Sequence, residues 1–356
     1  MADDHIFSVD NTLVAKGLFI IAVLAHHLFS ARSCIPRTWM LVEPWYDLAI
    51  LGKVAVHGFF LLSGYGLMKS MSAHPCGVLD FYRKVFIRTY AQFWPVFVLA
   101  LLPLLFGASG MTFSAVWPSL WNFLLDALGL AHLVPGAHQY NPTWWFLSAL
   151  LVMYAVFPLV RLVVCRMPVE FAIFMTWSAL VPSMWWFCDS RWPFVIGVYL
   201  ARYDLFSAFG RLVRRRRILI AVLLVVLFGS LHLLAVKGGG LAPSELFRWD
   251  PLLAIGLILA SWQLLPPGRW SGRLLRFIGS NSMNIFLTHT FVFGIYLHAF
   301  SYGLKYSILI LFQLLVVSLT LSVALKPLQR LTERGLLALI PSWRISERHR
   351  RTIVRG

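Results

Sequence analysis

Charge is scarce in this sequence, and acidic charge is the scarcest. Asp, Glu, Lys and Arg make up only 13% of the 356 residues. A soluble domain carries roughly a quarter, so a chain coated by water on all sides is excluded. Asp and Glu number 14 against 31 Lys and Arg, leaving a formal charge of +17. Cysteine is sparse as well. Cys34, Cys76, Cys165 and Cys188 form no CxxC pair and no metal-type spacing, and they read as packing thiols. The chain starts Met1-Ala2-Asp3-Asp4-His5, without the basic start, short apolar core and small-residue cut site of a secretory signal. The first apolar segment is therefore expected to be kept as a transmembrane helix. No internal repeat and no soluble domain of useful size is visible.

Apolar length takes the place of charge. Hydrophobic residues make up 59% of the chain and the mean hydropathy is +0.76. Apolar stretches recur near 12–31, 48–68, 86–106, 143–160, 169–187, 192–209, 218–236, 249–265, 277–299 and 306–325. Most approach the roughly 20 residues a helix needs to cross a bilayer core. Backbone polar groups in lipid must be satisfied within the segment, so the expected fold is all-α: a single bundle of about ten transmembrane helices. The stretch 113–135 contains Pro118, Asn122 and Asp126 and reads as a re-entrant or interfacial piece. With the N-terminus inside, the outward loops hold only Arg32, Arg37, Lys53, Arg191, Lys237, Arg248 and Lys305. The remaining basic residues, Arg214 to Arg217 and the arginine-rich tail among them, fall inside. That asymmetry follows the positive-inside rule and puts both termini in the cytoplasm. Residues 1–325 form the expected membrane domain, and 326–356 a basic cytoplasmic tail against anionic headgroups. Basic residues strung between apolar spans are no nucleic-acid face, and none is expected to bind there. On this topology Cys34 and Cys188 lie outward, where a disulfide between them is allowed, while Cys76 and Cys165 lie on the reducing side.

Polar residues inside apolar spans carry the functional information, because each costs free energy to place there. Lys16 and His27 are eleven residues apart. At about 100° per residue they share one helix face, about 16 Å apart along the axis; His26 points about 100° away. Lys16 reads either as a cation snorkelling to the inner interface or as an anion ligand. His27 reads either as a core histidine bonded to a neighbouring helix or as a reactive imidazole. His57 in the second stretch and His289 in the ninth are expected at a depth similar to His27, which suggests one polar site in the outer half of the bundle. The three lack the carboxylate and thiolate partners of a zinc site, and no metal is expected. Arg83 and Lys84 fit positive-inside charge, whereas Arg88 lies one turn into apolar sequence and suits a phosphate-bearing ligand from the cytoplasm.

These residues resemble the acyltransferase 3 family of integral membrane acyltransferases, over nearly the whole chain. Lys16 and His27 match its basic residue and histidine with ten positions between, lysine standing where arginine is commoner. Phe59, Phe60, Ser63, Gly64 and Tyr65 match its Phe-Phe-x-x-Ser-Gly-aromatic signature. Arg83 to Arg88 resemble its basic stretch, with Pro95 following; Trp145, Leu147, Tyr154 and Pro158 resemble its Trp-x-Leu…Tyr…Pro stretch. Gly279, Ser282 and His289 match its late signature. The sequence departs from the family where acidic residues are usual: Leu150 after the tryptophan, His57 before the phenylalanine pair, and Leu13 before Lys16, with Asp10 nearby.

The resemblance implies transfer of an acyl group, acetyl foremost, from cytoplasmic acyl-CoA to a carbohydrate hydroxyl at or beyond the outer face of the inner (plasma) membrane. Acyl-CoA would be a substrate, and no cofactor is implied. His27 would be the general base. Lys16, Arg83 and Arg88 would hold the anionic donor, and Ser63, His57 or His289 would donate to the developing oxyanion. Trp144 and Trp145 would stack on sugar rings, or form part of an interfacial aromatic belt. The alternative is an exporter or flippase of a glycan or lipid-linked sugar, whose path intramembrane histidines and arginines also line.

Overall fold

In the computed structural model the described residues are 8–29, 49–106, 112–180, 188–212, 216–238, 249–304 and 306–339. Cys34 and the side chain of Cys188 fall outside them, as do the N-terminal residues and the tail beyond 339. Helices stand at each apolar stretch, and no strand occurs among the described residues. Their order is α1 Val9–Phe29, α2 Val54–Ala73, α3 Val78–Leu105, α4 Leu120–Ala127, α5 Trp145–Arg166, α6 Pro168–Leu180 and α7 Cys188–Arg202. Then follow α8 Arg217–Gly238, α9 Asp250–Leu264, α10 Trp270–Ser280, α11 Ser282–Thr290 and α12 Ser307–Ala338. Among the described residues five helical segments are long and apolar enough to cross a membrane: Val9–Phe29, Ala49–Ala73, Val78–Leu105, Pro142–Arg166 and Ser307–Ala338. Apolar side chains such as Phe174, Trp177, Leu223, Leu227, Phe312 and Val316 lie exposed on the outside, as a lipid-facing surface requires. The protein is a multi-pass membrane protein.

Close backbone approach organises the bundle. α1 packs along α10, and α2 along α7. A Cβ at Gly279 would collide with the carbonyl of Leu13, one at Gly17 with that of Leu275, and one at Gly64 with that of Phe194. Only hydrogen fits at these crossings, which is how small residues let membrane helices pack tightly. Phe60, Phe157 and Phe194, all fully buried, fill the space between α2, α5 and α7.

Two stretches differ from uninterrupted spans. The segment at 113–135 forms short pieces, the longest being α4 with eight residues, about 12 Å and too short to cross a bilayer. The ninth stretch breaks at Asn281, whose side chain donates to the Phe277 carbonyl at 2.7 Å and accepts from Ser322 Oγ at 3.0 Å. A side chain that takes a backbone carbonyl competes with the helix ladder. After α11 the chain widens into a π-helix, Phe291–Tyr296.

A cationic cavity and a histidine pair

A cavity of about 450 Å³ opens between α1, α2, α3, α5 and the α10–α11 corner. Lys16, Lys84 and Arg88 bring cationic side chains to it, and Ser63, Tyr154 and Ser282 bring hydroxyls. Lys16 stands within electrostatic reach of Arg88. The Tyr154 hydroxyl lies against Ser63 and within electrostatic reach of Arg88. Ser63 Oγ also donates to the Phe59 carbonyl at 2.8 Å, the usual way a hydroxyl is satisfied inside a helix. Arg83 points elsewhere: its guanidinium meets Asp80, one turn earlier, at 3.6 Å, and Lys84 takes the place at the cavity that the sequence suggests for it. Converging cations in one cavity suit a phosphate-bearing or other anionic ligand.

The histidines separate into two groups. The His27 and His289 rings lie 5.0 Å apart, centroid to centroid, and Phe293 stacks beside both at 6.4 and 5.9 Å. His289 Nδ1–H donates to the Phe286 carbonyl at 2.7 Å, which leaves Nε2 as the acceptor, with Thr290 Oγ1 at 3.5 Å. His26 turns away from this pair, and its Nδ1–H donates to the Ala49 carbonyl at 2.9 Å. α1 thus presents Lys16 to the cavity and His27 to the pair. The π-helix begins two residues after His289; such widened turns recur at functional sites.

His57 is not part of that pair. It faces Asp250 of α9, Nδ1 to Oδ2 at 3.6 Å, and His232 of α8 binds the other carboxyl oxygen of Asp250 at 2.7 Å. All three are buried. A carboxyl partner for an intramembrane histidine therefore exists, supplied from a distant helix. Sequence reasoning missed both partners. The signal for His232 was an imidazole inside the apolar run 218–236. Asp250, directly before Pro251, resembles an ordinary helix-start acid. Among the described residues no group of three or more His, Cys, Asp or Glu is arranged to hold a metal ion.

Above His289 the segment between α3 and α5 is clasped down. Thr143 and Thr290 share a hydroxyl–hydroxyl bond of 2.9 Å, and the Trp144 indole donates to the Leu287 carbonyl at 3.2 Å. The Tyr140 and Tyr296 hydroxyls meet, and each donates to the Ala100 carbonyl. Trp144 is thereby committed to the core at 1% exposure. Trp145 is half-buried, its ring 6.5 Å from that of Phe60. Asp126 anchors the segment from within, accepting the Trp117 indole N–H at 3.1 Å and the Tyr140 amide at 2.7 Å.

Membrane-crossing helices around a polar interior, with cations at one end and a histidine pair deeper in, define a multi-pass membrane protein with a polar cavity inside the bundle. Residues 10–326 match the acyltransferase 3 family, described as an acyltransferase domain. That is nearly the whole chain, so the protein belongs to this family and is an acyltransferase acting between an acyl donor and an acceptor in a bilayer. Neither curated proteins nor solved structures give a match.

Proposed function

We propose that this acyltransferase moves an acyl group, acetyl foremost, from cytoplasmic acyl-CoA to a hydroxyl of a cell-surface or lipid-linked carbohydrate, with His27 as general base. The observation that carries the reading is the division of α1, which offers Lys16 to a cationic cavity and His27 to a second histidine. Lys16, Lys84 and Arg88 suit the phosphates of the donor. His27 is suited to take the acceptor's hydroxyl proton as the new C–O bond forms. The C–S bond then breaks, and the proton passes from His27 to the departing thiolate, so the balance needs no other reactant. His289, with Nδ1–H committed to a carbonyl, has only an accepting Nε2, which suits it to a neighbouring hydroxyl of the acceptor rather than to the oxyanion or to the proton that His27 takes. Ser63 and Trp145 remain candidate contacts to donor and acceptor, and no cofactor is required.

The same reading takes the bundle as ten spans with both termini cytoplasmic in the inner (plasma) membrane. Residues 1–325 form its catalytic unit and 326–356 its basic tail, although α12 runs without a break through Lys326. The test is transfer of labelled acetyl from acetyl-CoA to surface glycan in membranes carrying wild type, His27→Ala or His26→Ala at matched expression. His27→Ala should lose activity by at least about 100-fold, the size of a general-base contribution. His26→Ala should lose less than about tenfold, as expected for one neutral hydrogen bond. Equal transfer by wild type and His27→Ala would sink the assignment.

A further inference from the structure

The cavity stops short of the His27–His289 pair, and phenylalanine marks the stop on three different helices. On α2 the lining residue closest to His57 is Phe59, with Leu62, Ser63 and Gly66 below it. On α5 it is Phe146, above Leu150 and Tyr154. On α11 it is Phe286, above Ser282 and Met283 and one turn before His289. The three rings touch in series: Phe59 to Phe146 at 6.1 Å and Phe146 to Phe286 at 4.6 Å between centroids. Phe286 then meets the His289 ring at 5.6 Å. The rings form a roof over the cavity, and the histidine pair stands directly above it.

This geometry constrains what reaches His27. A donor held by Lys16, Lys84 and Arg88 presents its far end to the roof, and a carbonyl must pass the Phe286 ring to meet an acceptor at the histidines. The roof has little room to yield. Phe146 is backed by Phe60 at 4.8 Å and Phe59 by Phe19 at 5.9 Å, and all of these rings are buried. Packed interiors respond to a change of even one methylene. A small group asks less of this packing than a longer chain, which has to displace the second row of rings as well.

We infer that Phe59, Phe146 and Phe286 determine acyl length, admitting acetyl and rejecting butyryl and longer chains. The inference rests on the donor reading above and names the class of acyl group.

The test uses the purified full-length protein in nanodiscs and the non-cleavable ketone analogue of acetyl-CoA, with its longer homologues through octanoyl length. Binding needs neither acceptor nor turnover. Wild type should bind the acetyl-length analogue and lose about tenfold or more at butyryl length, the discrimination a tight apolar pocket achieves. Phe286→Ala should recover that loss and move the step to longer chains. Phe286→Leu, a gentler change, should move it partway, and Phe286→Trp should weaken even the acetyl-length analogue. Equal binding of all lengths by wild type would overturn the inference alone, as would a step that none of the three variants moves. Failure to bind any of the CoA analogues would overturn it together with the donor assignment. A step that moves as described beside absent glycan acetylation would uphold the roof and count against the acceptor reading only.

Discussion

Arg83, Lys84 and Arg88 look alike in a list of basic residues, yet the helix sends them to different places. Lys84 and Arg88 line the cavity, while Arg83 is turned to Asp80. Lys84→Ala and Arg88→Ala should each raise the KM for acyl-CoA about tenfold or more with a smaller change in kcat, the cost of losing a charge-assisted bond to a phosphate. Arg83→Ala should leave both close to wild type, as expected for a half-exposed pair; steady-state kinetics on the three variants checks this. Asp250 makes a different contribution, because it holds imidazoles from two other helices. Asp250→Leu should cost about 2 kcal/mol by leaving the His232 Nδ1 buried without its acceptor, read as a lower unfolding midpoint in detergent, and Asp250→Asn should cost less. Lys16 and His27 were legible in sequence because a fixed angular step relates them along one helix. His57 was legible as a polar residue in an apolar run, but its partners were not. Asp250 lies far along the chain, and only the packing of α2, α8 and α9 brings the three together.

Among the elements, the glycines of the recognisable motifs prove to be crossing points. Gly279 admits the α1 backbone and Gly64 that of α7. Gly279→Val should therefore separate α1 from α10 and reduce folded protein severely, whereas Gly66→Ala, where a Cβ meets nothing within 4 Å, should be tolerated; fluorescence size exclusion of both variants decides it. The break at Asn281 was not legible, because a side chain that caps its own helix and is itself held by Ser322 of α12 requires tertiary contact. The segment between α3 and α5 should also respond to pH. Burial outweighs the Trp117 bond and pushes the Asp126 carboxyl up to about 7. A carboxyl raised in the fold contributes stability that is complete below its unfolded value near 3.8 and is lost as pH rises through about 7. Hydrogen exchange of residues 112–141, corrected for intrinsic rates, should show more opening at pH 8 than at pH 5.5, and Asp126→Asn should flatten the difference.

For the whole molecule, apolar length and the exclusion of unpaired backbone from lipid sufficed to anticipate an all-helical membrane bundle. The packing order of the helices, α1 on α10 and α2 on α7, was beyond a single sequence, since many orders bury the same residues. Sidedness is open to direct measurement through Cys76, which is exposed and lines the cavity. With Cys34, Cys165 and Cys188 replaced by serine, a membrane-impermeant maleimide should label Cys76 in inverted vesicles and not in right-side-out ones, and acyl-CoA should slow the labelling. The opposite sidedness would reverse the assignment of both termini. The phenylalanine roof bears on the cell as well as on the substrate. A hydrated ion that enters the cavity meets three apolar rings before any further polar group, and shedding its water there costs several kcal/mol. On the proposed reading the protein would pass a chemical group through the bilayer while behaving as an electrical insulator, so abundant expression would not drain the membrane potential. Substitutions that thin the roof would be expected to reveal themselves first as a proton leak.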